Sequence, residues 1–226
     1  MIKHHPTDDL LIAFSAGELS SSLSVAISTH IEMCPVCRHQ VERYTAQMSD
    51  ESFNQQAEVI DFAANSDGIG IDTNFDDMLS CIMAEPESNF VETFKSAPSK
   101  VIGGGFELPK SLSRLSVSNF VNVGKISRAR IELDEEPVRT SLLNIKAGGE
   151  VPHHTHKGFE ITLLLQGTFE DELGGYVPGD FIILDAEHTH HPVSKEGCWC
   201  LTVVNDSIQF TQGVNRLLNP LGKFIY

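Results

Sequence analysis

No apolar run in these 226 residues approaches the ~20 needed to cross a bilayer. The richest stretches, Leu163-Leu164-Leu165 and Phe181-Ile182-Ile183-Leu184, are only strand-length. The opening Met1-Ile2-Lys3-His4-His5-Pro6 leads into no hydrophobic stretch of the signal-peptide kind. The expectation is a soluble cytoplasmic protein with no membrane contact. Basic residues are scarce: 16 Lys and Arg stand against 31 Asp and Glu, a formal net charge of -15. Direct nucleic-acid binding needs a basic footprint to replace phosphate counterions, and none is present. An acidic surface suits a basic protein partner, or simply solubility. A paired-cysteine framework is missing too. Five Cys is an odd count, which argues for thiolate or metal chemistry rather than disulfides.

The chain has enough apolar material for real cores, 41% of residues at a mean hydropathy of -0.09. Thr7 or Asp8 is placed to cap a first helix, with Leu10, Leu11 and Phe14 on one face and Gly17 ending it. A second helix starts at Ser20 to Ser22 and carries Leu23, Ala26, Ile27, His30 and Ile31 at 3.6-type spacing. A third begins near Pro35. Tyr44 to Phe94 holds eleven acidic residues and no Lys or Arg. Within it Asn65 to Gly70 reads as a break, and Phe75, Met78, Leu79, Ile82 and Met83 form an apolar stripe on a short helix, suited to an internal core or to a partner's groove. Glu85 to Ser88 and Ser96 to Gly105 read as linker, loosest at Gly103-Gly104-Gly105. From about Phe106 the period changes to short β-rich runs: Ile126 to Leu133, Thr140 to Ile145, Glu160 to Leu165, Asp180 to Leu184 and Cys198 to Val204. Gly- and Pro-containing turns separate them, the pattern of a sandwich or barrel. The fold class expected is a two-domain α + β chain, with a helical domain over 1–90, a linker over 91–105 and an all-β domain over 106–226.

Two clusters carry metal-ligand chemistry. In His30-Ile31-Glu32-Met33-Cys34-Pro35-Val36-Cys37, His30 and Cys34 stand at i and i+4 of a helix and so share a side. The following turn presents Cys37 to the same point, and three ligands converge as in a structural Zn2+ site. His4 or His5 supplies a fourth. Farther on, Gly148, His154, His156, Glu160 and Gly167 keep the rhythm Gly-x5-His-x-His-x3-Glu-x6-Gly. Alternate strand residues share a face, so His154 and His156 point into the barrel together and Glu160 joins from the next strand. The segment Glu187 to Pro192 adds His188, His190 or His191. Three imidazoles and a carboxylate suit Zn, Fe, Mn or Ni. His153 points away from His154 and reads as an exposed or supporting residue. Cys198 and Cys200 share one face of a strand with Trp199 on the other. No basic neighbour lowers their thiol pKa, so they and Cys81 read as small apolar residues rather than redox groups.

These residues resemble known families. His-x3-Cys-x2-Cys on a helical domain, preceded by Lys3-His4-His5 and the Leu10 to Gly17 segment, is similar to the zinc-binding anti-sigma domain that wraps an ECF (group IV) sigma factor and keeps it from RNA polymerase. That resemblance implies His5 as the fourth ligand beside His30, Cys34 and Cys37. It also makes the Phe75 to Met83 stripe a candidate sigma-contacting helix. The rhythm around His154 looks like the first cupin motif, implying a jelly-roll barrel. A second motif, compressed at Pro178-Gly179-Asp180, favours His190 as the last ligand. Together the halves resemble ChrR-type anti-sigma factors, in which zinc organises the helical domain and the pair controls a sigma factor answering singlet-oxygen and related photo-oxidative stress. The resemblance implies a non-enzymatic regulator, and leaves a small molecule or oxidant as candidate signal at the cupin site. The alternative reading is a cupin metalloenzyme of dioxygenase type with an accessory helical zinc domain.

Overall fold

The structure, a computed structural model, describes residues 1–54, 75–84, 100–206 and 208–211. The expected break at Asn65 to Gly70, the Glu85 to Ser88 stretch and residues 91–99 of the expected linker lie outside the described residues. The chain forms two compact units, Met1–Ser49 with Ala97–Tyr226, and Asp50–Ser96.

The first helix, α1, spans Asp8–Ala16. Thr7 caps it, its side chain accepting from the Leu10 N–H, and Asp8 and Asp9 place negative charge at the positive end of the dipole. Gly17 ends it at φ 73°, a left-handed conformation costly for any residue with a Cβ. The second helix, α2, spans Ser21–Met33, and α3 spans Pro35–Asn54, with Pro35 in its first turn. Helix α4, Phe75–Ala84, belongs to the second unit. There Met78, Leu79, Ile82 and Met83 are all exposed. Side-chain surroundings of Phe75 lie outside the described residues.

The β part opens with a small hairpin, β1 (Val101–Ile102) and β2 (Phe106–Glu107), closed by the Leu108 N–H donating to the Lys100 carbonyl. Gly103-Gly104-Gly105 form the 3-10 turn between these strands. A single-turn helix, α5, spans Lys110–Ser113. The strands that follow are β3 (Val121–Val123), β4 (Ile126–Ile131), β5 (Arg139–Ile145), β6 (Gly149–Glu150), β7 (His154–His156), β8 (Glu160–Gly167), β9 (Phe169–Asp171), β10 (Gly174–Tyr176), β11 (Phe181–Leu184), β12 (Val193–Ser194), β13 (Cys198–Val204) and β14 (Ile208–Phe210). They form a six-stranded antiparallel sheet in the order β11-β8-β13-β5-β4-β3, a four-stranded one in the order β10-β9-β12-β6, and the pair β14-β7. Ile145, Leu164, Ile182 and Cys200 of the large sheet meet Val151, Phe169, Tyr176 and Phe210 in one buried cluster. The sheets therefore close around a barrel interior.

The other face of the large sheet is buried as well. Ile161, Leu163 and Leu165 of β8, Phe181 of β11, and Leu201 and Val203 of β13 share a core with Leu11, Ala26 and Ile27 of α1 and α2 and with Leu112 of α5. This accounts for the unbroken apolar run of β8. A half-exposed antiparallel strand would alternate, whereas one covered on both faces has no polar side. Each such aliphatic side chain contributes about 1.5–3 kcal/mol when fully buried, so the helices and the barrel stabilise one another.

Polar contacts fix how they meet. Gly179 and Asp180, just before β11, face the start of the chain. The Asp180 carboxylate accepts from the backbone N–H groups of Lys3 (2.6 Å), His4 (3.0 Å) and Val177 (2.9 Å), while the Phe181 N–H donates to the His4 carbonyl. Glu135 receives the Ser22 N–H in the first turn of α2 (2.7 Å), and Glu32 near its end receives the N–H groups of Lys110 and Ser111. Burial works against ionisation of Asp180, but the three N–H groups hold its carboxyl below the ordinary range. Hydrogen bonds to a charged group are worth about 1.5–3 kcal/mol. Asp180→Asn is therefore expected to lower the unfolding free energy by about 2 kcal/mol. With a depressed folded-state pKa, the wild-type contribution is present above the unfolded value of ~3.9 and is lost as pH falls through the folded value. Urea unfolding at pH 7 and at pH 3 checks both points: the gap between the two proteins shrinks in acid.

Candidate metal centres

The first centre forms where the α2–α3 junction meets the N-terminal arm. His30, in the last turn of α2, is fully buried, as are Cys34 and Cys37. The Cys34 N–H donates to the His30 carbonyl (2.7 Å), which tightens the turn that brings the sulfurs round. His5 approaches from the arm, its Nδ1 lying 3.5 Å from the Cys34 sulfur and 3.3 Å from the Cys37 sulfur. One donor atom from each of His5, His30, Cys34 and Cys37 falls within 4.8 Å of the others. His4 is placed elsewhere, its ring 5.2 Å from that of Tyr176.

The donors fit a cation. The Nδ1 of His30 lies 2.8 Å from the Gly179 carbonyl, which can only accept, so Nδ1 carries the proton and Nε2 bears the lone pair. That buried Nε2 has no hydrogen-bond partner among the described residues. Burial and the nearby His5 push the His30 pKa down to about 4, against the pull of Gly179 and Asp180. Burial and the Cys34 sulfur push the Cys37 thiol up to about 12. A neutral imidazole and two crowded sulfurs in an apolar pocket are what a divalent ion with soft and borderline preferences would stabilise, by taking thiolates in place of thiols.

The second centre lies inside the barrel. His154 and His156 alternate along β7, Glu160 opens β8, and His190 bridges to His154 through reciprocal backbone hydrogen bonds of 3.1 and 3.0 Å. All four are buried, and their donor atoms again lie within 4.8 Å of one another. The Glu160 Oε2 is 2.8 Å from the His156 Nε2 and 3.3 Å from the His190 Nε2. The Nδ1 of His154 donates to the Pro152 carbonyl (2.8 Å), and the Nδ1 of His190 faces the Asp171 carboxylate (3.3 Å). With both Nδ1 protons so committed, the Nε2 atoms of His154 and His190 turn lone pairs toward each other at 2.9 Å. Only a proton or a metal ion relieves that contact. Burial works against charge on His190, yet Asp171 and Glu160 carry its pKa up to about 9. Burial instead takes His154 down to about 3. Burial also opposes ionisation of Glu160, but His156, His190 and His154 hold it well below the carboxylate range. The cavity beside these groups measures about 20 Å³, room for an ion or one water.

Of the three histidines between Glu187 and Pro192, His190 alone faces this centre. His188 pairs with Asp185 at the surface (2.6 Å), and His191 turns outward toward Glu150 (3.3 Å). Cys198 and Cys200 both face the barrel core with sulfurs 4.0 Å apart, and Trp199 stacks on Phe106 outside it. Cys81 lies exposed on α4. Sequence reasoning passed over Asp171, which orients His190, and the Gly179 carbonyl, which orients His30. Asp171 lies in no ligand motif, and Gly179 entered only as part of the compressed second cupin motif, with no role for its carbonyl.

Residues 118–207 match the family model described as the ChrR cupin-like domain. The chain is 29% identical to the anti-sigma-E factor ChrR of Cereibacter sphaeroides over 97% of its own length and 97% of that protein. Among solved structures it is similar to a chain in the crystal structure of Rhodobacter sphaeroides SigE in complex with the anti-sigma ChrR, at 27% identity and a TM-score of 0.66, over 91% of this chain and 100% of that one.

The two centres use separate ligands and are expected to fill independently. Elemental analysis should show Cys34→Ser losing one metal ion per chain and His154→Ala losing a different one. Binding at the barrel centre must displace the proton held on His190. Its affinity should fall about tenfold for each pH unit below about 9.

Proposed function

We propose that this chain, which resembles ChrR-type anti-sigma factors over nearly its whole length, is a regulatory anti-sigma factor that sequesters an ECF-type sigma factor. The observation that carries this reading is the continuity of the resemblance through both parts of the chain, together with convergence of His5, His30, Cys34 and Cys37 at the helix junction.

Zinc is the ion the first centre suits, since two sulfurs and two imidazoles match its tetrahedral preference. When bound there, it would supply the cross-links that a few short helices lack. His5 then ties the N-terminal arm to the junction, and His30 ties the junction to the barrel through Gly179. Helix α4 offers the sigma factor an exposed apolar stripe, Met78, Leu79, Ile82 and Met83, in an acidic setting that complements basic polymerase- and promoter-facing surfaces. The barrel centre, filled by zinc or by iron, manganese or nickel, serves as the sensing element. An oxidative signal of the singlet-oxygen type, or a small molecule, would alter the barrel, and β11 would pass the change through Gly179 and Asp180 to His30 and the arm. The population then shifts toward the state that releases sigma. The cytoplasm is where such a partner resides.

The test is calorimetric titration of the zinc-loaded chain with ECF sigma factors from the same genome. One of them should bind, and Cys34→Ser should weaken binding at least about a hundredfold. Ile82→Asp should weaken it by about tenfold, about 1.4 kcal/mol, with metal content unchanged. Failure of every such sigma factor to bind would remove the proposal.

A further inference from the structure

The backbone bridge that builds the inner centre has a consequence on its other side. His154 and His190 exchange both N–H···O bonds, so they are a hydrogen-bonded antiparallel pair. The next pair outward, His153 and His191, is then a non-hydrogen-bonded pair, the kind whose side chains stand closer together. Their rings lie 4.5 Å apart, centroid to centroid. Because successive strand residues point to opposite faces, both rings lie on the outside of the barrel, with side chains 33% and 26% exposed.

A third dipeptide repeats the arrangement. Asp171 points inward to His190, and its neighbour Glu172 points outward. The Glu172 Oε2 accepts the His191 N–H at 2.9 Å, which holds the carboxylate in place, while Oε1 lies 3.4 Å from the His153 Nδ1. The Glu150 Oε2 stands 3.3 Å from the His191 Nε2. The Thr211 N–H and hydroxyl both donate to the His153 carbonyl, fixing that side of the pair. Donor atoms of His153, Glu172 and His191 all fall within 4.8 Å of one another. Each of the dipeptides His153-His154, Asp171-Glu172 and His190-His191 thus places one residue at the inner centre and one in this outer cluster.

We infer that His153, Glu172 and His191 form a second, outward-facing metal site on the barrel, which takes a borderline divalent transition ion such as Zn2+, Ni2+ or Cu2+. Two imidazoles favour such ions over Mg2+ or Ca2+, which prefer oxygen ligands. Partial exposure makes the site reachable from solvent and weaker than the inner one. The shared dipeptides couple them: an ion that draws His191 and Glu172 together acts on the same backbone that sets His190 and Asp171. The site goes beyond the anti-sigma reading and does not depend on it.

Zinc is the probe, and the measurement needs no sigma factor. The full chain, loaded at its inner centres and stripped of loose metal, is titrated with Zn2+ by calorimetry. Wild type should bind one further zinc per chain. His153→Ala and Glu172→Gln should each weaken that step by about tenfold or more, and the His153→Ala, His191→Ala double variant should abolish it. All three should keep their inner metal content and circular dichroism spectrum. The inference is overturned if wild type takes up no further zinc, or if the double variant binds it with wild-type stoichiometry and affinity.

Discussion

The contact on which the rest of the structure turns is the hydrogen bond from the His30 Nδ1 to the carbonyl of Gly179. It performs two tasks. On the helical side it fixes the tautomer of a candidate metal ligand and aims Nε2 at Cys34 and Cys37. On the barrel side it seizes the turn that leads into β11, where Asp180 simultaneously holds the backbone of Lys3 and His4. Gly179 allows both, with φ at 94° and no Cβ, since a Cβ there would collide with Ile2. One turn therefore orders the arm that carries His5, the helix that carries His30 and the strand that borders the barrel.

The two inner centres share a logic of buried, oriented lone pairs. In each, one ring nitrogen of a histidine is spent on a fixed acceptor, Gly179 for His30 and Pro152 or Asp171 in the barrel. The other nitrogen is left facing further donors in an apolar environment. Such an arrangement is costly without a cation and favourable with one. This accounts for buried His30, Cys34, Cys37, His154, His156 and His190 in a chain of -15 net charge: metal ions bound there would supply positive charge that the few lysines and arginines do not.

Much of this was legible in the sequence, and the exceptions have physical reasons. Thr7 or Asp8 at one end and Gly17 at the other announced the limits of α1 because capping is local chemistry. The strands through Ile126, Thr140, Glu160, Phe181 and Cys198 declared themselves by β-branched and apolar runs between glycine turns. The convergence of His30, Cys34 and Cys37 followed from helical spacing alone. Residue spacing by itself left open His4 against His5, and His188 against His190 or His191, because those depend on where an arm and a loop come to rest. Least legible was the covering of the barrel's outer face by α1, α2 and α5. Its only trace was the unbroken apolar run of β8, since tertiary partners distant in sequence leave no periodic signal. His153 was readable as outward-facing by alternation, but its meeting with Glu172 and His191 needed the strand register.

The central claim is that metal-organised helices and barrel form one cooperative unit joined at Gly179 and Asp180. Differential scanning calorimetry of the metal-loaded chain tests it most directly. A single transition, with calorimetric and van't Hoff enthalpies in agreement, is the predicted result. Two separate transitions, one shifted only by Cys34→Ser and the other only by His154→Ala, would contradict it.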